Sequence, residues 1–139
     1  MANSLAKTLA DDLANWFKGT TFGTAAPATT YVALLTTNPT KNDGTGLVEC
    51  SDSGYARLAV TSSSGWSAIS TNADNIHEEI SNAAALTFGA AVASYTVVGL
   101  AIYSALTGGT LYMYGAVTSQ AVSIGNQYQI AIGSLILEF

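Results

Sequence analysis

From residue 80 to residue 137 the chain carries no charged side chain, and that gap constrains its folding more than any other feature. A stretch of this kind has no ions to hold it in water. Its backbone N–H and C=O groups must be paired in regular structure and its apolar side chains must be covered. A membrane-spanning helix would satisfy both demands, and residues 83–106 are apolar enough to raise the question. However, Thr87, Gly89, Ser94, Thr96, Gly99 and Ser104 interrupt the stretch and no Lys or Arg follows it, unlike an inserted helix with its flanking cations. Buried β-strands fit better, and no membrane insertion is expected.

The strands are written in β-branched and aromatic residues between turn formers. Thr29-Thr30-Tyr31-Val32-Ala33-Leu34-Leu35-Thr36-Thr37 is ended by Asn38-Pro39, and residues 40–54 then read as a long surface loop rich in Gly, Asn and Asp. Tyr55-Ala56-Arg57-Leu58-Ala59-Val60-Thr61 is a second strand, and residues 62–65 turn towards Trp66. Residues 80–88 hold a further strand or, given Ala83-Ala84-Ala85, a helix. Residues 97–104 alternate so that Val98, Leu100 and Ile102 share one face opposite Gly99 and Ala101. Thr107-Gly108-Gly109 is a strong hairpin signal, and residues 110–117 form the returning strand. The run Ala121-Val122-Ser123-Ile124 is separated by Gly125-Asn126 from residues 127–132, whose alternation places Tyr128, Ile130 and Ile132 inside. Residues 135–139 close the chain as a terminal strand.

The helix is at the other end. Leu5, Leu9, Leu13, Trp16 and Phe17 recur at helical spacing, which predicts one amphipathic helix over residues 4–18. Asn3 or Ser4 can cap it and Gly19 can end it in a left-handed conformation. Its apolar stripe must lie on the domain's own sheet or on a partner subunit. Seven or eight short strands with regular turns then argue for a single mainly β domain spanning residues 1–139. The architecture is an antiparallel β-sandwich or partly closed barrel, with strands and loops over 29–139. The uncharged half has no Lys or Pro with which to guard a strand edge, so its edges are expected to be closed within the fold or covered by another chain.

Only 9% of residues are charged, against about 25% in an average soluble protein; such an exterior suits a protein whose surface lies against neighbours. The net charge of −5 gives no electrostatic basis for nucleic-acid binding. Cys50 is the single cysteine and His77 the single histidine, which removes an internal disulfide and a multi-thiolate or two-histidine metal site within one subunit; a His-based triad would need Ser or Cys50 partners whose placement nothing in the sequence supports. Asp74, Glu78 and Glu79 near His77 match no calcium-loop pattern, and a carboxylate pair drawn from Asp43, Glu49 and Asp52 is one that any polar loop offers. Phosphate-loop and dinucleotide patterns are missing. No catalytic residue, cofactor or metal is therefore expected. The opening residues, Met1 to Lys7, lack the pattern of a signal peptide. Trp66 and the seven tyrosines serve as core residues, a sugar platform or interface anchors; Tyr112 and Tyr114, sharing a face opposite Leu111 and Met113, are the pair expected to stay exposed. The expected contact set for a partner is thus Leu5, Leu9, Leu13, Trp16 and Phe17 of the helix together with Tyr112 and Tyr114.

The order of these segments resembles a family of small tailed-phage virion proteins, often labelled tail fibre proteins and related to proteins that decorate or cement capsids. The resemblance runs nearly end to end. It is carried by the N-terminal helix, by Ala26-Pro27-Ala28-Thr29-Thr30-Tyr31-Val32-Ala33-Leu34 with Thr36-Thr37-Asn38-Pro39-Thr40, and by Gly54-Tyr55-Ala56-Arg57 before the strand at Val60. It continues through Trp66-Ser67-Ala68, residues 82–88, Gly99-Leu100-Ala101-Ile102-Tyr103, Thr107-Gly108-Gly109-Thr110-Leu111 and Tyr114-Gly115-Ala116-Val117. Members of that family often carry more acidic and glycine residues in the middle loop and a tryptophan where this chain has Ala93-Ser94-Tyr95; these departures bear on loop contacts rather than on the fold. The resemblance implies a non-enzymatic β-sandwich component of the virion, assembled in the host cytoplasm. The first expectation is a capsid decoration or cement protein that touches major capsid subunits, and the alternative is a tail fibre or tail-tip adhesin that reads a host glycan and contacts tail proteins. In either place the chain is expected to be a homo-oligomer or bound to the assembly.

Overall fold

The computed structural model describes residues 3–139; Met1 and Ala2, part of the N-terminal reading, lie outside the described residues. Its elements in chain order are β1 (Asn3–Leu5), α1 (Lys7–Phe17), β2 (Thr29–Thr37), β3 (Val48–Glu49), β4 (Leu58–Thr61) and β5 (Ser70–Thr71). They continue as β6 (Glu78–Ser81), β7 (Leu86–Thr87), β8 (Tyr95–Tyr103), β9 (Leu111–Val122), β10 (Gln129–Ile130) and β11 (Ile136–Glu138). The protein is mainly β, every named pairing is antiparallel, and the sheets do not close into a barrel. The largest sheet runs β1-β9-β8-β2-β3, with β4 also paired to β2. Two smaller sheets, β10-β7 and β11-β6-β5, complete the set.

The main core lies between the large sheet and the two small ones. Val32, Leu34, Leu100, Ile102 and Met113 face it from the large sheet, and Leu86, Phe88, Ile130, Leu135 and Leu137 face it from the other layer. Phe88 is fully buried, stacks on Tyr55 and meets the edge of Tyr128. The opposite face of the large sheet has a smaller core of Ala33, Leu35, Ala101 and Tyr103, covered in part by Leu47, Leu111 and Tyr114. This two-sided burial explains why residues 32–35 read as a continuous apolar run rather than as an alternation. Close approach of two loops fixes Gly54 and Gly89: a Cβ on Gly54 would overlap the carbonyl oxygen of Ala90, and one on Gly89 that of Gly54.

Several boundaries differ from the sequence expectation. The helix begins at Lys7 rather than residue 4, because residues 3–5 pair with Gly115, Tyr114 and Met113 of β9 as an edge strand. No side chain caps it; Ala6 is the N-cap, and the free N–H of Lys7 donates instead to the carbonyl of Asn42 at 2.8 Å. Its other end is as expected: Gly19 has φ +84°, with Gly19 N–H donating to Trp16 O and Thr20 N–H to Asn15 O, the paired bonds of a Schellman ending. The loop of residues 40–54 contains β3, and residues 80–88 are strand and loop with no helix.

Alternation fails where the strands bulge. The β8–β9 register shifts between Val97 and Gly99, so Val97 rather than Val98 joins Leu100 and Ile102 in the core. An inserted residue reverses the faces beyond it. Residues 121 and 122 belong to the long β9, not to a separate strand. Tyr128 and Ile130 are buried as expected, but Ile132 is exposed, because the chain turns at residues 131–134 with Gly133 at φ +73°. Among the described residues no helix is long and apolar enough to cross a membrane.

Replacing Phe88 with Ala removes the side chain that joins both layers and is expected to cost about 3–5 kcal/mol, a large share of the ~5–15 kcal/mol that holds a typical domain. Urea unfolding should show the midpoint falling steeply with an unchanged slope.

Candidate protein-contact surface

The apolar stripe of the helix divides in two. Leu5 belongs to β1, opposite Met113, and packs with Leu9 against the main core. Leu13, Trp16 and Phe17, at 39%, 56% and 75% exposure, stand in solvent. Trp16 and Phe17 form an edge-to-face pair with ring centres 5.1 Å apart, so the second half of the helix carries an exposed aromatic ridge. A large exposed apolar group is informative where several occur together.

Tyr112 and Tyr114 behave otherwise than the shared-face reading expects. The β8–β9 register shifts again between Ile102 and Tyr103, which puts Tyr112 against the main core and Tyr114 against the smaller one on the other face. Both are half-buried. They support the two cores and do not form an exposed pair.

Beside the helix lies an apolar groove of about 420 Å³. Leu9 forms one wall, and Trp66, Ile80, Tyr112 and Leu137 line it from the strands. Its rim is Phe22, Ile69 and Phe139, of which Ile69 and Phe139 are 74% and 57% exposed. The linker after the helix is held in place by Asp12, whose carboxylate accepts bonds from the N–H and hydroxyl of Thr24. Gly23 packs directly on that carboxylate, so Phe22 is fixed alongside the helix. No charged side chain lines the groove. Sequence reasoning missed Phe22, Ile69 and Phe139 as contact residues; Phe22 and Ile69 are isolated among Gly, Ser, Thr and Ala, which was the signal open to it, while Phe139 ends the alternation of Leu135 and Leu137 in the terminal strand.

The candidate chemical groups are not assembled into a reactive site. Glu49 receives Arg57 in a two-pronged pair, Nε to Oε1 at 2.8 Å and Nη2 to Oε2 at 2.7 Å, and also the Tyr55 hydroxyl at 2.7 Å. Burial pushes the Glu49 carboxyl up, but the bonds from Arg57 and Tyr55 outweigh it and hold the group below its ordinary value. Asp52 accepts from the N–H groups of Val92, Ala93 and Gly54, which lower its pKa, and Asp43 is lowered by its bonds to Thr45. Cys50 is buried, and burial raises its thiol pKa, away from the thiolate a nucleophile needs. His77 is exposed with Asp74 at 3.5 Å. Among the described residues no group of three His, Cys, Asp or Glu side chains is placed to hold a metal ion.

Removing Arg57 leaves Glu49 without its cation. Arg57→Ala is expected to cost about 2–4 kcal/mol, below the full penalty for a wholly buried pair because the Glu49 side chain keeps 25% exposure. Because the folded-state pKa of Glu49 is depressed, its stabilisation is present above the ordinary carboxylate range and is lost as pH falls through and below it. Denaturant titrations across acid pH should therefore show a shallower acid loss in Glu49→Gln than in the parent.

The model of the family described as podophage GP4 fiber I protein gp80 matches residues 4–138 of the chain, and the chain belongs to that family. The resemblance to small tailed-phage virion proteins labelled as tail fibre proteins is thereby upheld, and by family the chain is a phage fibre or structural protein of the virion. No curated protein matches the chain.

Proposed function

We propose that this chain is a non-enzymatic structural subunit of a phage tail fibre and acts by packing an apolar face against neighbouring virion proteins. The observation that carries the reading is the aromatic ridge of Leu13, Trp16 and Phe17 beside an uncharged groove. The two together leave more apolar surface on one side than a free monomer usually shows. The fibre description of the matched family supports a place in the fibre. Carboxylates satisfied by their own fold support a role without catalysis.

A glycan-reading adhesin would present aromatic faces among convergent polar groups that bind hydroxyls. Here Trp66 and Tyr112 are half-buried in a groove walled by Leu9, Ile80 and Leu137, an environment suited to apolar protein surface. A capsid decoration role draws on the same sparse charge, and particle stoichiometry separates it from a fibre role. Quantitative mass spectrometry of purified particles should find a handful of copies per virion, with removal of the protein leaving heat and osmotic resistance of the shell unchanged. Hundreds of copies, with shells weakened by their loss, would move the protein to the capsid. Saturable binding on a glycan array, weakened by Trp66→Ala, would restore the adhesin.

A further inference from the structure

We infer that the groove beside α1 takes an extended segment of a different virion protein, one that carries a large apolar side chain with Lys or Arg beside it. This rests on the reading of the chain as a contact-making virion subunit and names the chemistry of the partner.

The groove supplies the anchor site. Ile69, Ile80 and Leu137 line it from the small sheet, and Leu9, Phe22 and Tyr112 line it from the helix, the linker and β9. At about 420 Å³ it falls within the ~300–1,000 Å³ of sites that bury most of a bound group. The Asp12–Thr24 tether and the packing of Leu9 and Ile80 on the main core hold its walls in place, so little ordering is left to the moment of binding.

The open side of β5 supplies a track for main chain. In the sheet β11-β6-β5 the edge strand β5 pairs with β6 alone. Residues 66–71, which lead through it, are uncharged and hold no Pro, so they lack the usual guards of an exposed edge. An extended segment laid along such an edge gains backbone hydrogen bonds and turns alternate side chains into a neighbouring recess. Trp66, Ser67 and Ile69 belong both to this stretch and to the groove lining, which sets the track and the recess side by side.

Charge sets the partner's character. The lining is uncharged, but the strands that form it carry Glu78, Glu79 and Glu138 just beyond. Glu78 sits at the rim, its carbonyl accepting the N–H of Phe139 at 2.8 Å. Glu79 lies directly opposite Glu138 in the β6–β11 register, a like-charge pairing that costs a sheet stability. Among the described residues the ion pairs are Lys7–Asp11, Arg57–Glu49 and His77–Asp74, so these three carboxylates have no cation of their own. Alternation puts Glu79 and Glu138 on the face away from Ile80 and Leu137, and they act on the groove through a field that reaches about 8 Å at physiological salt. A segment with cations beside its anchor gains from that field, and an acidic one is repelled. In this chain a large exposed apolar residue adjoins a cation at Phe17-Lys18, but that pair is held at the end of α1. It cannot run along a strand edge, which points to another protein.

Photocrosslinking in assembled particles tests this. The full chain is given a benzophenone amino acid in place of Ile69 and irradiated within the particle, and the joined peptides are sequenced by mass spectrometry. The expected product joins position 69 to a segment of another virion protein in which Lys or Arg stands beside a large apolar residue. A product with a second copy of the chain alone, a product with an acidic or uncharged segment, or no product from particles that contain the chain overturns the inference. Rebinding of purified chain to particles grown without it gives a second readout. Glu78→Lys/Glu79→Lys is expected to bind about tenfold more weakly, with the parent's salt dependence lost. Its unfolding midpoint should stay at or above the parent's, because the repulsion between Glu79 and Glu138 is gone. Glu78→Gln/Glu79→Gln, which adds no new charge, should show a smaller loss of binding. Binding by the lysine variant equal to the parent's overturns the inference. A chain missing from purified particles overturns the virion role together with this contact, whereas a chain present in particles with its groove uncrosslinked overturns the contact alone.

Discussion

One guanidinium holds together the side of the large sheet that the small sheets do not cover. Arg57 lies 3.7 Å above the ring of Tyr103, pairs with Glu49, and gives its remaining Nη1 donors to the carbonyls of Ala105 at 2.8 Å and Gly108 at 2.7 Å. It thereby joins β3, the lead into β4, the end of β8 and the hairpin turn before β9. Tyr55 extends the network inward, donating its hydroxyl proton to Glu49 and accepting the N–H of Leu34 in the central strand. A planar, permanently charged fork that also stacks on an aromatic face can make all these contacts at once, where an ammonium cannot. Of the four Lys and Arg residues in the chain, Arg57 is the one committed to the interior, while Lys7, Lys18 and Lys41 are exposed.

The same economy governs the strand edges. With no Lys or Pro in the long uncharged half, edge protection has to come from elsewhere. Three local devices supply much of it. Residues 3–5 cover the first part of β9. The Asn3 side chain then bridges to β11, accepting from Glu138 N–H and donating to Glu138 O, so one amide joins the edge of the large sheet to the edge of a small one. Beyond the reach of β1, the register shift in β9 bends that strand. The buried Asn82 does comparable work at the other layer, bonding to the backbone of Ala84, Ala131 and Leu135. The expectation that edges are closed within the fold is met where β1 covers β9 and where the Asn3 amide bridges the two sheets.

Legibility in the sequence followed the range of the interactions involved. Strand-forming composition, the Gly108-Gly109 hairpin and the Gly19 helix ending are local, and their signals lie within a few residues. Helix onset was not legible: Leu5 fits the helical spacing, yet β9 recruits its backbone into a sheet, a tertiary demand that outweighs a few tenths of a kcal/mol of propensity. Faces were legible only up to the first bulge or turn: the β8–β9 bulges misplaced Val98 and the Tyr112–Tyr114 pair and the turn at residues 131–134 misplaced Ile132, while Leu100, Ile102 and Tyr128 kept their expected faces. The contact surface was half legible. Its ridge follows from periodicity, whereas its groove is assembled from Phe22, Ile69 and Phe139, residues far apart in the chain that no spacing rule connects.

The division of the helix stripe bears directly on function. Had the stripe served only the fold, Trp16 and Phe17 would lie over the sheet as Leu9 does, since a turn or two of helix is ample to reach it. Instead the Schellman ending and the Asp12–Thr24 tether fix the second half of the helix in the open, with its two largest apolar residues outward. Exposed Trp and Phe in a rigid setting forfeit the burial that would stabilise the monomer, roughly 1.5–3 kcal/mol for a fully buried large side chain. Two large aromatics left uncovered forgo that stabilisation, and the return available to this surface is association.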